Sequence, residues 1–363
     1  RGAVELRLQA RNSVGTAQKS VLLQVGDSTL PAVVIASPAD GTFSPLADQT
    51  VVIHTGAESG QTCYLCRRAH QTGGLPPVCD AGTAVGQGVV NASNDANVAQ
   101  TLVDGDYDFW ASCADSAGHT GTSLYSRLVV DSAPPQAAFV DPQVGAVFNA
   151  ASADTSGAAG FQIRVRISAD VEDGQPATLF VDGQAAEIVG VSPVFANGLV
   201  TFSAVTVADQ AQHTLSARVC DKAGNCSDVA PVAIRVDRLV PGVAVTAPAD
   251  GSVLGGMDDQ SLAPGFQRNV TCAFTGAVAG DVATLTVAGG GNIAPVEHTL
   301  TAAELASYTF VQATLIADTA AQPSADVVVI CSLRDAADNT GSATSNVSIR
   351  TLAPQVTVSR PLN

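Results

Sequence analysis

The chain reads as all-β, a tandem run of small sandwich domains in an extended array, and three observations predict it. One phrase recurs at about a domain's spacing: CADSAGHTG at Cys113 to Gly121, VCDKAGNCS at Val219 to Ser227, LRDAADNTG at Leu333 to Gly341 and, more loosely, ARNSVGTAQ at Ala10 to Gln18. A Pro-led opening recurs with it: LPAVVIASPADGT from Leu30, PPQAAFVDPQVGA from Pro134, VPGVAVTAPADGS from Val240 and APQVTVSRPLN from Ala353. Its prolines Pro31, Pro135, Pro241 and Pro354 lie 104, 106 and 113 residues apart, so the repeating unit has the size of one small domain. Between these landmarks, apolar and polar residues alternate in short runs without a helical period.

In chain order, residues 1–29 match only the closing hairpin of the repeat, through VELRLQARNSVGTAQKSVLLQV. Residues 30–133, 134–239 and 240–352 are expected to be whole domains, and 353–363 the first strand of another. A lone hairpin or strand leaves its apolar face and edge uncovered, so the chain is expected to be a window on a longer array. In the second whole module the alternating runs are Phe161 to Ala169, Ala177 to Asp182, Val200 to Val207 and His213 to Cys220. In the third they are Asn269 to Thr275, Val282 to Ala288, Tyr308 to Ile316 and Val327 to Leu333. No segment has a helical period, and Leu300 to Ala306, LTAAELA, is expected to make one turn or two at most. The recurring phrase joins the last two strands of each module. Its Asp is expected to bond amides across the turn, Gly118 and Gly224 to take positive φ, and Asp338 to do so in the third copy.

With 46% hydrophobic but only 4% aromatic residues, the cores must be filled by β-branched and small side chains. Asp and Glu number 33 against 17 Lys and Arg, a net charge of −16, which disfavours nucleic acid and anionic membrane as partners because both need a basic footprint. Only Lys19 and Lys222 are lysines, a codon bias that fits a GC-rich bacterial genome. No run of apolar residues is long enough for a membrane-spanning helix.

About seven short strands per hundred residues, with turn signals at regular intervals, indicate an immunoglobulin-like sandwich. The D-x-A-G-N phrase after an apolar strand, the P-x-V-x-I-x-x-P-x-D-G opening and the joints Asp27 to Pro31, Asp131 to Pro135 and Asp237 to Pro241 resemble the bacterial Ig-like repeats of large surface adhesins and other secreted multidomain proteins. That resemblance covers almost the whole chain. It implies an extracellular or cell-surface location and a role in adhesion, spacing or glycan binding, or as an accessory to a secreted enzyme.

Eight cysteines fall four, two and two over the three whole modules, and even counts per domain favour disulfides and an oxidising compartment. Side-chain parity, counted from the turn Asp, places Cys113 and Cys331 inward and Cys220 outward, beside Cys226 across the same turn. The expected bridges are Cys220–Cys226, Cys272–Cys331 in the manner of an inter-sheet bridge, Cys63–Cys113 inward and Cys66–Cys79 outward. A zinc site at Cys63, Cys66, His70 and Cys79 lacks a second paired knuckle, and opposite parity separates Cys63 from Cys66.

The sequence has no H-E-x-x-H, no G-x-S-x-G elbow and no P-loop before a helix, so no catalytic residue is expected. His54, His70, His119, His213 and His298 are scattered. Two carboxylate groups are calcium candidates: Asp104, Asp106 and Asp108 at every second residue, and the joint residues Asp131 and Asp237 with Asp250, Asp258 and Asp259 beyond. Beyond calcium no cofactor is expected. Asn91, Asn225, Asn269 and Asn346 open N-x-S/T triplets, which carry little weight in a bacterial chain. Trp110 and Tyr107 are the candidate ligand platform, an aromatic surface for sugar. The leading expectation is a non-enzymatic stalk, stiffened by disulfides, of a large exported bacterial surface or adhesion protein. The alternatives are a subunit of an extracellular filament, or glycan- or partner-binding modules accessory to a secreted enzyme. The expected partners are neighbouring domains of the same chain, further copies in self-assembly, or a glycan or cell surface.

Overall fold

A computed structural model describes residues 2–25, 28–152, 154, 160–188 and 193–352. The strand expected at 353–363 lies outside the described residues. Residues Gly2–Asn12 and Gly15–Val25 form an antiparallel hairpin. The Asn12 side-chain oxygen closes its turn by accepting the Val14 and Gly15 amides at 2.9 and 3.0 Å.

Three sandwiches follow, and all share one strand order. In the first, the three-stranded sheet holds Val33–Ser37, Asp48–Thr55 and Asp95–Thr101. The facing sheet runs Thr42–Ser44, Ser126–Val130, Gly105–Ala114, Thr62–Ala69, Gly86–Val89, with Thr120–Thr122 also paired to Gly105–Ala114. The second sets Ala137–Asp141, Phe161–Ala169 and Leu199–Val207 against Val147–Phe148, Cys226–Val236, Ala211–Cys220, Ala177–Val181 and Gln184–Ala185. The third sets Gly242–Ala247, Phe266–Thr275 and Ser307–Ile316 against Ser252–Gly255, Thr340–Arg350, Ser324–Arg334, Val282–Ala288 and Val296–Thr299. In every case the opening chain crosses from one sheet to the other. Its second short strand then pairs parallel to the last strand of the domain. This is the immunoglobulin-like arrangement, with aligned sheets over one core.

Alternation decides which side chains enter each core. Along Phe161–Ala169 the residues Phe161, Ile163, Val165, Ile167 and Ala169 are buried, and along Val282–Ala288 so are Ala283, Leu285 and Val287. The first core contains a single fully buried aromatic, Phe109, among Val, Ile, Leu, Ala and Cys. Segment 300–306 makes a single turn, with the Glu304 amide donating to the Thr301 carbonyl at 3.0 Å. Leu300 is buried, and the Glu304 carboxylate captures the Thr301 amide at 2.8 Å, the Thr301 hydroxyl at 2.7 Å and His298 Nε2 at 3.0 Å, so the chain folds into a side-chain-locked loop. These bonds, the Thr301 amide first, pull the Glu304 carboxyl down to about 2. The one helical element among the described residues is the 3-10 turn Gly256–Asp258.

Asp281 is an acid inside the third sandwich, 1% exposed. Its Oδ2 accepts the Val278 amide at 2.8 Å, while Oδ1 has no partner. Burial pushes its carboxyl up, and the Asp335 and Asp237 carboxylates add to the effect. A raised folded pKa means that stability falls as pH climbs from about 4 through that value, because the unfolded chain releases its proton first. Asp281→Asn keeps an acceptor for Val278 and removes the charge. The substitution is expected to raise the third module's melting temperature at pH 7, with the gain vanishing below about pH 4, as read by calorimetry across pH.

Candidate functional site

The recurring turn is built by its own Asp. Asp115 Oδ1 accepts the Ala117 and His119 amides at 2.8 and 2.9 Å, and Asp335 Oδ1 accepts those of Ala337 and Asn339 at 2.8 and 2.9 Å. In the second module Asp221 Oδ1 accepts Gly224 and Asn225 at 2.7 and 2.9 Å. Gly118 and Gly224 stand at φ of 89° and 96°, and Asp338 takes 65° in their place. For Asp115, burial acts first to raise the carboxyl, but the bonds from the His119 amide, the His119 ring and the Ala117 amide outweigh it and hold the group below the usual carboxylate range.

Four disulfides join the eight cysteines: Cys63–Cys113, Cys66–Cys79, Cys220–Cys226 and Cys272–Cys331. These are the pairs that parity indicates, but they differ in kind. Cys272 and Cys331 lie on opposite sheets, so their bridge crosses the core. Cys63 and Cys113 are directly opposed on neighbouring strands of one sheet, so the first sandwich has its inward bridge within a sheet. Cys220 and Cys226 are the last opposed pair before the turn.

The outer face of the Gly105–Ala114 strand was the expected ligand surface. It is roofed instead by the segment after Thr62–Ala69, tethered by Cys66–Cys79 and by the Cys79 amide donating to Ser112 Oγ at 2.9 Å. Trp110 lies beneath it, 7% exposed, with Cys66 and Cys79, and meets Tyr125 edge-on at 5.4 Å. Tyr107 is on the opposite face, packed against the main core. The aromatic platform proposed from Trp110 and Tyr107 therefore does not form: alternate parity separates the two rings, and the roof covers the indole. The emission of Trp110, the single tryptophan, is expected to be blue-shifted, resistant to iodide quenching and unchanged by added polysaccharide.

Asp108 anchors that roof. It is 2% exposed and accepts His70 Nδ1 at 2.6 Å, Arg68 Nε at 3.1 Å and the Gln71 amide at 3.1 Å. Burial acts to raise its carboxyl, yet the bonds from His70, Gln71 and Arg68 together hold it below the ordinary range. The Arg68 guanidinium also lies 4.1 Å from the Tyr125 ring centroid. The other acids of the calcium groups are likewise engaged by the chain. Asp106 takes Arg127 through Nε at 2.8 Å and Nη2 at 2.7 Å, and Asp104 takes the Ser132 amide and hydroxyl, both at 3.1 Å. At the joints, the Asp131 carboxylate accepts the Ala133 amide at 3.1 Å, and that of Asp237 pairs with Arg235 at 2.8 Å. Among the described residues no three His, Cys, Asp or Glu side chains converge as a metal site.

Each of the five histidines is paired with a carboxylate: His54 with Asp95, His70 with Asp108, His119 with Asp115, His213 with Asp182 and His298 with Glu304. His213 is buried and also bonds the Ala208 carbonyl at 2.9 Å. The imidazoles thus hold turns and strand ends in place.

No family model matches the chain, and no curated protein matches it. Among solved structures it is similar to fibronectin(III)-like modules of Clostridium thermocellum CbhA, at 15% identity over 57% of this chain and 94% of that one, with a TM-score of 0.34. It is also similar to the structure solved for host cell surface retention of a 1.5-MDa bacterial ice-binding adhesin, at 17% identity over 89% and 98%, TM-score 0.34. A stretch of titin domains overlaps at 10% identity over 88% and 97%, TM-score 0.32. Overlaps this loose carry no weight of their own. The sheet order defines the class: an all-β array of immunoglobulin-like sandwiches.

Proposed function

We propose that the chain is a non-enzymatic stalk segment of a large exported bacterial surface or adhesion protein, divided into modules at 30, 134, 240 and 353. The observation that carries this reading is the repetition of one sandwich topology three times with joints of a few residues, Asp131 to Gln136 and Asp237 to Pro241, between the flanking strands. Short Pro-containing joints restrict bending. Four disulfides support an oxidising compartment. The partners are neighbouring modules of the same chain. Small-angle scattering of the whole chain is the test: a maximum dimension near that of modules placed end to end supports a stalk, and a compact particle overturns it.

The joints are proposed to hold without calcium, because Asp131, Asp237, Asp104 and Asp106 already answer donors of the chain. Chelation with EDTA is then expected to leave all melting transitions in place, and a downward shift would restore the calcium reading.

A further inference from the structure

The Asn of the recurring turn does more than close the turn. Asn225 Nδ2 lies 2.9 Å from Asp221 Oδ2, inside its own module, and 2.7 Å from the backbone carbonyl of Asp131, 94 residues away at the joint with the module before. Asn339 repeats this in the third module, at 2.8 Å from Asp335 Oδ2 and 2.9 Å from the carbonyl of Asp237, 102 residues away. Both neighbours are acceptors only, so the amide nitrogen must face them and spends its two protons on them.

The joint residue is held from the other side as well. The Asp131 amide donates to the Ser44 carbonyl at 3.0 Å, and the Asp237 amide to the Phe148 carbonyl at 2.9 Å. Ser44 and Phe148 belong to the preceding module in each case. One residue thus gives its N–H to one module and its C=O to the next. The same hairpin also meets the opening proline. Ser227 Oγ donates to the Pro135 carbonyl at 2.7 Å, and at the equivalent place Gly341 lies so close to the Pro241 carbonyl that a β-carbon would overlap it.

Each junction adds a contact of its own. Lys222 Nζ sits 4.2 Å from the centroid of the Phe43 ring of the first module. At the next junction Asn149 Nδ2 donates to the Ala337 carbonyl at 3.0 Å, and the Ala150 amide donates to Asn339 Oδ1 at 2.7 Å, so both the nitrogen and the oxygen of the Asn339 amide are engaged across the junction.

We propose that the pole of each module bearing the D-x-A-x-N turn is a docking surface for the end of the preceding module, with Asn225 and Asn339 as the residues that lock the angle between consecutive modules. At both junctions the group seated on this pole is the end of the preceding module, so the partner it fits is another copy of this repeat. The first module has His119 at this position, and its ring nitrogen Nδ1 binds Asp115 at 3.1 Å. Histidine therefore preserves the bond inside the turn with a different reach beyond it.

The lock is independent of what the array carries, and its test is separable from that of the stalk. Residual dipolar couplings of the intact chain report whether modules share one alignment tensor. The native chain is expected to show a common tensor for the three sandwiches. Asn225→His and Asn339→His retain a partner for the turn Asp. They are expected to leave each module's melting transition in place while the tensors on either side of the altered joint diverge. Asn225→Ala and Asn339→Ala are expected to cause the same loss of shared alignment, with some loss of stability in the turn. A tensor that stays common in both His variants overturns the lock, as does a native chain whose modules already align independently. An extended scattering profile with independent tensors would sink the lock and leave the stalk; a compact profile with a common tensor would do the reverse.

Discussion

Replacing Cys272 and Cys331 together by Ala is expected to cost the third sandwich about 2–5 kcal/mol. The bridge closes 59 residues and crosses between sheets, so its loss lets the unfolded chain sample many more conformations and unties the two sheets of the folded domain. Both cysteines are at most 1% exposed, so the two Ala residues also leave voids in the core. The effect belongs in the third module's own transition, read by scanning calorimetry of the whole chain, since an array of domains does not unfold as one two-state unit. Removal of Cys220–Cys226, which closes only 6 residues, is expected to cost clearly less. Equal losses from the two pairs would contradict a role set by loop length and sheet crossing.

Asp108→Ala is expected to destabilise the first sandwich by about 2–4 kcal/mol, because it strands the Arg68 guanidinium and the His70 and Gln71 donors that converge on one buried carboxylate. The depressed carboxyl gives the sign with pH. The stabilisation is complete above the unfolded value of about 4 and is lost as pH falls through the lower folded value, so native and variant proteins converge in acid. The readout is specific: with the roof loosened, Trp110 emission is expected to shift to the red while the core transition persists. An Ala variant with native stability and native emission would show that the disulfide alone holds the roof.

How much of this was legible in the sequence follows from how far each interaction reaches. Alternation placed the strands, because a buried face needs every second residue apolar, and parity from the turn Asp was enough to sort Cys113, Cys220 and Cys331. Parity says which face a side chain takes and nothing about what lies over that face. For that reason Trp110 and Asp108 read as outward residues, although the segment carrying His70 and Cys79 covers both. Asn225 and Asn339 were hidden differently. Turn geometry explains their neighbours so fully that no further partner is called for, and that partner is a backbone carbonyl about a hundred residues away, which leaves no mark of its own in the sequence. Their visible signal is that the position changes to His119 in the first whole module and to Thr16 in the looser copy at Ala10 to Gln18.

The short second strand of each module has a mechanical consequence. It enters near the start of the domain and pairs parallel to the last strand, so tension on the two ends of a module pulls these partners past one another. Their hydrogen bonds then bear load together in shear instead of opening one at a time. The seam is longest in the third module, where Ser252–Gly255 has four opposed residues in register, while in the first and second modules the bonds run from Gly41 to Ser44 and from Gly145 to Phe148. Forced unfolding is governed by the barrier to leaving the native state. The third sandwich, with the longest seam, is therefore the one expected to hold longest under tension, and a module that opens before it lengthens the chain while the third stays folded.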